Sequence, residues 1–185
     1  MESKLYNTEN LYLIVGPSGI GKTSIVKGLE KEYGLTPVKS YTTRKPRSKD
    51  EDGYTFISKK EFSELGEVLA YTIFAGEEYG VTVDKLNKGD VYVVDVAGVH
   101  YLKKHYSDRP IKVLGLVCSP KILEERMRNR GDSEENIVKR LKNDKIAFAG
   151  LSGVIDSELD VTPYDNNVEA LVERVYKWII WEENN

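Results

Sequence analysis

The chain has 185 residues, of which 40% are hydrophobic and 31% are charged. This length fits one domain with a mobile insertion but not two full-sized domains, and the composition is globular rather than disordered or fibrous. The formal net charge of −3 disfavours a general binder of nucleic acid or membrane surfaces. The single cysteine, Cys118, rules out an intramolecular disulfide and favours a reducing compartment. It lies in an apolar run, so we expect it to be buried.

The sequence has no stretch that is long and apolar enough to span a bilayer, and its first residues carry no apolar signal core. We therefore expect a soluble cytoplasmic protein. Its expected partners are small molecules, with neither nucleic acid nor membrane among them.

Short apolar runs alternate with amphipathic segments, which predicts strands alternating with helices. The predicted strands are 11–15, 38–43, 54–57, 68–74, 91–96 and 113–118. The predicted helices are 22–33, 58–65, 99–106, 119–130, 132–148 and a terminal helix with the apolar face Val168, Leu171, Val172, Val175, Trp178 and Ile179. This order implies an α/β fold, with a mostly parallel sheet covered by helices on both faces. Residues 44–89 interrupt it and predict an insertion with its own small sheet.

The first functional motif is Gly16-Pro-Ser-Gly-Ile-Gly21-Lys22-Thr23, which matches G-x-x-x-x-G-K-[ST] between a predicted strand and a predicted helix. Its glycines let successive backbone amides point at phosphate oxygens, and the helix adds its positive end. Lys22 would bridge the outer phosphates, and Thr23 would ligate Mg²⁺. A simple glycine-rich turn is the alternative, but the strand and helix in register favour a phosphate-binding loop (P-loop).

A second basic segment, Ser40-Tyr-Thr-Thr-Arg44-Lys-Pro-Arg47, follows the first helix. Two guanidinium groups can hold one phosphate through paired charge-assisted hydrogen bonds, and the hydroxyls of Ser40, Tyr54 and Tyr79 would add neutral donors. A solvated basic loop is the alternative. The neighbouring phosphate loop favours a binding site, because phosphoryl transfer needs both a donor cradle and an acceptor clamp.

Arg126, Arg130 and Arg140 form a third basic set, in which the first two are four residues apart on one predicted helix. Gly131 follows directly and is a candidate hinge. A mobile lid that carries these arginines would exclude water and favour transfer over hydrolysis. The alternative is a set of exposed arginines paired with neighbouring glutamates.

Asp95 ends the apolar run 91–95. The carboxyl end of a buried parallel strand lies beside the ligand crevice in open α/β sheets. Asp95 could therefore bind the hydration shell of Mg²⁺ or hydrogen-bond the acceptor, and a helix cap is the alternative.

With these motifs in place, the sequence resembles the guanylate kinase family of nucleoside monophosphate kinases over nearly its whole length. The segments that carry the resemblance are the phosphate loop, Ser40–Arg47, Asp52–Ser58, Tyr79-Gly80, Asp95–Gly98 and Arg126–Gly131. It implies a P-loop NTPase-type three-layer fold and transfer of the γ-phosphoryl group of ATP to a nucleoside monophosphate, with Mg²⁺. GMP or dGMP is the expected acceptor.

The resemblance also implies residue roles and a domain plan, with a homodimer as an option. The implied ATP-binding residues are Gly16, Ser18, Gly19, Gly21, Lys22, Thr23 and Ser24. The implied acceptor-binding residues are Ser40, Arg44, Arg47, Tyr54, Tyr79 and Asp95. The implied catalytic residues are Lys22, Arg44, Arg126, Arg130 and Arg140, and the metal-binding residues are Thr23 and, through water, Asp95. The expected domain has a core of about 1–35, 89–125 and 150–185, an acceptor-binding insertion of about 36–88 and a lid of about 126–148.

Two departures from the family pattern concern the acceptor base. Ala70 aligns where the family has a glutamate that reads guanine, and Val81 aligns with a neighbouring hydroxyl position. A buried guanine donor without an acceptor costs about 1–3 kcal/mol, although Glu67, Glu77 or Glu78 could substitute. The alternatives are therefore a kinase for another or modified nucleotide or for ribose 1,5-bisphosphate, and a non-catalytic phosphopeptide-binding module.

Overall fold

The computed structural model describes residues 8–46, 49, 51–74 and 76–185. The strands are β1 (Leu11–Val15), β2 (Tyr41–Thr42), β3 (Thr55–Phe56), β4 (Val68–Phe74), β5 (Glu77–Thr82), β6 (Val91–Val93), β7 (Ile111–Val117) and β8 (Ser157–Asp160). The α-helices are α1 (Lys22–Tyr33), α2 (Lys59–Ser63), α3 (Val83–Lys88), α4 (Val96–His105), α5 (Pro120–Asn129), α6 (Glu134–Ala147) and α7 (Val168–Glu183). Within these ranges, none of the helices has the length and apolar character needed to cross a membrane.

The main sheet has four parallel strands in the order β6-β1-β7-β8. β1 is buried along its whole length, and its successive side chains point to opposite faces. Tyr12 and Ile14 pack with residues of α1, α5 and α7, whereas Leu11, Leu13 and Val15 pack with residues of α4. The predicted three-layer α/β fold is therefore confirmed.

The segment between α1 and β6 forms a second, mixed sheet in the order β3-β2-β5-β4. β2 and β3 are parallel, and the other two pairs are antiparallel. Leu69, Val81 and Leu86 from this segment belong to the same apolar cluster as Val15 of β1 and Val99 of α4. The small sheet is thus anchored on the core, and the predicted mixed sheet is confirmed.

Local signals located several elements correctly. The predicted bounds of β1, α1 and β4 match the structure. The predicted capping box of α2 is present, because the Ser58 hydroxyl accepts the Glu61 amide and the Glu61 carboxylate accepts the Ser58 amide. At the other end of the chain Val168 is 49% exposed, so the terminal helix packs with a narrower face than predicted.

Other boundaries differ because tertiary contacts outweigh the local pattern. The predicted strand 38–43 is shortened to β2, since the Val38 amide donates to the Val91 carbonyl at the edge of the main sheet. α6 begins after Ser133, whose hydroxyl accepts the Asn136 amide, rather than after Asp132. Cys118 is half-buried rather than buried.

Three elements were missed by the sequence analysis: β5, α3 and β8. β5 carries two glutamates and a glycine, a pattern that does not favour a strand locally. It forms because β2 and β4 pair with it on both sides.

Candidate active site

The phosphate loop connects β1 to α1 at the carboxyl edge of the main sheet. Gly19 and Gly21 have φ angles of +80° and +104°, in the left-handed region that favours glycine. Gly21 is the N-cap of α1 and provides no side-chain cap. The first amides of α1 therefore have no capping side chain, which is the arrangement that binds anions at helix N-termini. Thr23 and Ser24, in the first turn, are exposed.

Lys22 is folded back over this loop. Its ammonium group donates to the carbonyl oxygens of Gly16 and Pro17, the latter at 2.9 Å. Burial lowers the pKa of Lys22 from 10.5 to about 8, with partial opposition from the negative charge of Asp144. The side chain is thus held at the loop, where a phosphate would replace its carbonyl partners.

A carboxylate from α6 also contacts the loop. Asp144 Oδ2 accepts the Ser18 backbone amide at 2.8 Å, and Oδ1 lies 3.4 Å from the Ser18 hydroxyl. Asp144 is not among the residues predicted from the sequence, because an aspartate within a polar helix gives no local signal of a contact 126 residues away.

Arg126 contacts the loop at a different residue. Its guanidinium group donates to the Ile20 carbonyl oxygen at 3.0 Å and to Asp165 Oδ1 at 2.9 and 3.2 Å. A cavity of about 250 Å³ lies here, lined by Gly19, Ile20, Gly21, Ser24, Arg126, Tyr164, Asp165, Asn166, Val168 and Leu171. Arg126 therefore joins the phosphate loop to the segment before α7.

Arg130 and Arg140 take a different position. Both pair with Asp132, and the Nε of Arg140 lies 3.8 Å from its carboxylate. Gly131, the candidate hinge between α5 and α6, has a φ angle of +91°, in the left-handed region that favours glycine. In the part of the chain that the structure describes, neither arginine has a hydrogen bond or ion pair with the phosphate loop.

A larger cavity of about 570 Å³ lies between the main sheet and the small sheet. Five of the predicted acceptor-binding residues line this cavity, which is called the acceptor cavity below: Ser40, Arg44, Tyr54, Tyr79 and Asp95. Arg47 lies outside the described residues. The sequence pattern thus predicts a set of side chains that meet around one cavity, although they come from the insertion and from the end of β6.

Tyr92 is a member of this set that the sequence analysis missed. Its hydroxyl and that of Ser40 are hydrogen-bonded at 2.7 Å, and it lines the same cavity. Burial raises the pKa of Tyr92 to about 12, so the phenol stays protonated at neutral pH. A polar aromatic residue within the apolar strand that leads to Asp95 is the signal that would have found it.

Arg44 is held by Glu51. The guanidinium nitrogens lie 2.6 and 3.2 Å from the two carboxylate oxygens of Glu51. The guanidinium carbon also lies 5.5 Å from the ring centre of Tyr54 and 5.3 Å from that of Phe56. Glu51 thus accepts from both terminal nitrogens of the guanidinium group that the sequence assigns to the acceptor phosphate, and it fixes the orientation of that group.

Asp95 caps α4, because its Oδ1 accepts the Gly98 amide at 2.7 Å. The helix cap that was considered as the alternative is therefore present, and the same side chain lines the acceptor cavity. The described residues contain no cluster of three or more histidine, cysteine, aspartate or glutamate residues suited to a metal ion.

Comparison with known proteins agrees with this geometry. The family model described as guanylate kinase matches residues 8–179. The chain belongs to the guanylate kinase family. The guanylate kinase of Helicobacter pylori is 39% identical over 152 residues, which cover 75% of this chain and 73% of that protein. The guanylate kinase of Schizosaccharomyces pombe is 29% identical over 187 residues, covering 89% of this chain and 85% of that protein.

A solved structure shows the same fold. The crystal structure of guanylate kinase from Anaplasma phagocytophilum superposes with a TM-score of 0.65 at 20% sequence identity. The match covers 99% of this chain and 90% of that one.

Ala70 and Val81, the two residues that the family resemblance relates to the acceptor base, lie in different surroundings. Ala70 lines the acceptor cavity and has a φ angle of +49°, at an irregularity in the pairing of β4 with β5. Val81 is fully buried in the apolar cluster and is not among the residues that line this cavity. Of the acidic substitutes, Glu77 accepts from Thr43 and Glu78 accepts from Tyr71.

Proposed function

We propose that the protein transfers the γ-phosphoryl group of ATP to GMP or dGMP, giving ADP and GDP or dGDP. Membership of the guanylate kinase family supports this reaction. The acceptor cavity is lined by Arg44 and by the hydroxyl groups of Ser40, Tyr54 and Tyr79, which supports a small phosphate ester as the second substrate.

The observation that carries the proposal is the position of the acceptor cavity next to the end of the phosphate loop. Thr23, at the end of the loop, lines a smaller cavity of about 160 Å³. That cavity shares Ser40, Tyr54 and Tyr92 with the larger acceptor cavity. The end of the phosphate loop and the acceptor clamp therefore lie at neighbouring cavities with a shared wall, which supports the short separation of donor and acceptor that direct transfer requires.

The proposed roles follow from this arrangement. The loop amides and Lys22 bind the phosphates of ATP, and Arg126 neutralises charge beside the loop. Arg44, with the hydroxyls of Ser40, Tyr54 and Tyr79, holds and orients the acceptor phosphate. These side chains would donate hydrogen bonds from fixed positions, so the negative charge on the phosphates would be stabilised by a preorganised polar site.

We further propose that Mg²⁺ accompanies ATP and is held by Thr23 and, through water, by Asp95. Both offer the oxygen ligands that Mg²⁺ prefers, and the small number of protein ligands suits an ion that keeps several waters. When bound, the ion would neutralise charge on the phosphates.

The proposed domain plan keeps residues 36–88 as the acceptor-binding insertion and 126–148 as the lid. Closure of the lid would bring Arg130 and Arg140, together with Asp132, towards the transferring phosphate. Because the two arginines share one carboxylate, the group keeps a net positive charge that would attract a phosphate, which supports this movement.

The test is ADP release from Mg·ATP with GMP, dGMP, AMP, dAMP, pyrimidine monophosphates and ribose 1,5-bisphosphate as acceptors. We expect turnover with GMP or dGMP, and its loss in Lys22→Ala with the fold retained. Turnover with another acceptor alone would contradict the proposed substrate but not the kinase. Silence with every acceptor, together with phosphopeptide binding, would overturn the reaction itself.

A further inference from the structure

The contact between Asp144 and the phosphate loop is made by a charged group at an anion-binding position. Backbone amides of such loops bind phosphate oxygens. Here the Ser18 amide is bound by a carboxylate oxygen at 2.8 Å, and the Ser18 hydroxyl lies 3.4 Å from the second oxygen. The carboxylate also attracts the ammonium group of Lys22.

The surroundings of Asp144 distinguish this contact from an incidental surface bond. Asp144 is half-buried, whereas its neighbours Asn143 and Lys145 on α6 are exposed. Elsewhere in the same region Arg130 and Arg140 pair with Asp132. Arg126, at the start of the predicted lid, also contacts the loop, at the Ile20 carbonyl oxygen. On α6, however, the described contact with the phosphate loop is made by the acid Asp144, whereas Arg140 of the same helix pairs with Asp132.

We propose that Asp144 is a carboxylate latch that holds α6 on the phosphate loop and is displaced by the phosphates of the donor nucleotide. A carboxylate and a phosphate oxygen cannot both accept the same Ser18 amide, and their like charges repel beside Lys22. This inference rests on the proposed binding of ATP at the loop.

The latch lowers the apparent affinity for nucleotide, because only the open fraction of the protein can bind. A latch that is closed nine-tenths of the time weakens binding about tenfold. Release of Asp144 would also free α6 to move as a unit, so donor binding and lid movement would be coupled.

The test measures the dissociation constant of Mg·ADP by titration calorimetry, with no acceptor present. We expect Asp144→Asn and Asp144→Ala to bind roughly 3–10-fold more tightly than the natural chain. Glu135→Gln is the matched control, because it removes one negative charge from an exposed position of the same helix. It should bind Mg·ADP as the natural chain does.

A second measurement reports the latch directly. The Ser18 amide resonance should shift on Asp144→Asn in the absence of ligand, and on addition of Mg·ADP to the natural chain, but not on Glu135→Gln. Equal or weaker nucleotide binding by both Asp144 variants would overturn the proposal, as would the absence of Mg·ADP binding by any of the proteins. Tighter binding without turnover of any acceptor would support the latch and contradict the proposed kinase reaction.

Discussion

Arg44 and Glu51 form a two-point ion pair at the edge of the acceptor cavity, with side chains that are only 16% and 19% exposed. The hydrogen bond with Glu51 raises the pKa of Arg44, so its positive charge is secure. A planar guanidinium held at two points presents its remaining donors in a fixed direction. The acceptor clamp is therefore largely oriented before the substrate arrives.

Replacement of Arg44 by alanine should raise the KM for GMP by about 10–100-fold, because a charge-assisted hydrogen bond contributes about 1.5–3 kcal/mol. The KM for ATP should change less than about twofold, since Arg44 lines the acceptor cavity and not the loop. Steady-state kinetics with each substrate varied in turn measures the KM for GMP and the KM for ATP separately. Lys45→Ala removes a neighbouring exposed charge and is the control; an unchanged KM for GMP in Arg44→Ala would contradict the assignment.

The lowered pKa of Lys22 predicts a proton uptake on nucleotide binding. With a pKa of about 8, the free ammonium loses its proton as the pH rises through 8, whereas bound phosphate favours the charged form and raises the pKa. Affinity for Mg·ADP should therefore be fully present below about pH 7 and decline above pH 8. Calorimetry at pH 8.5 in buffers of different ionisation enthalpy measures the uptake, and Lys22→Arg should abolish it. Equal heats in all buffers would contradict the prediction.

Ala70→Glu should increase the preference for GMP over AMP. A carboxylate at this cavity position could accept the N1 and N2 hydrogens of guanine, which are absent from the corresponding edge of adenine. Because each satisfied donor is worth about 1–3 kcal/mol, we expect a rise of about tenfold in the ratio of kcat/KM values.

Ile73→Glu is the control for this substitution, because Ile73 lies on the same strand but is 61% exposed and does not line the cavity. It adds the same charge outside the site and should leave the ratio unchanged. An unchanged ratio in Ala70→Glu would show that Ala70 does not face the base.

Gly28→Ala should destabilise the core by about 1–2 kcal/mol. An added Cβ would lie 2.4 Å from Val172 Cγ2, and the stiff valine side chain cannot move aside freely. The gain in helix propensity offsets only part of this overpacking. Urea unfolding measures the change, with Gly53→Ala as a control, because a Cβ at Gly53 meets no atom within 4 Å. A more stable Gly28→Ala protein would contradict this account of the α1–α7 contact.

The sequence alone predicted the parts of the site that depend on neighbours along the chain. The phosphate loop was predictable because strand, glycines, lysine and helix start are consecutive, and their hydrogen bonds and backbone angles are local. Likewise, a short apolar run followed by Gly16 and Pro17 predicted the buried strand β1, and the Ser58–Glu61 spacing predicted the cap of α2.

The tertiary structure decided the contacts between distant segments. Ser40 is hydrogen-bonded to Tyr92, which lies 52 residues away along the chain. Ser18 is hydrogen-bonded to Asp144, which lies 126 residues away. β5 exists because two partner strands supply its hydrogen bonds, and Val81 packs into the core instead of lining the acceptor cavity. The physical reason is that a local pattern fixes backbone conformation over a few residues, whereas the partner of a polar side chain depends on how whole layers pack.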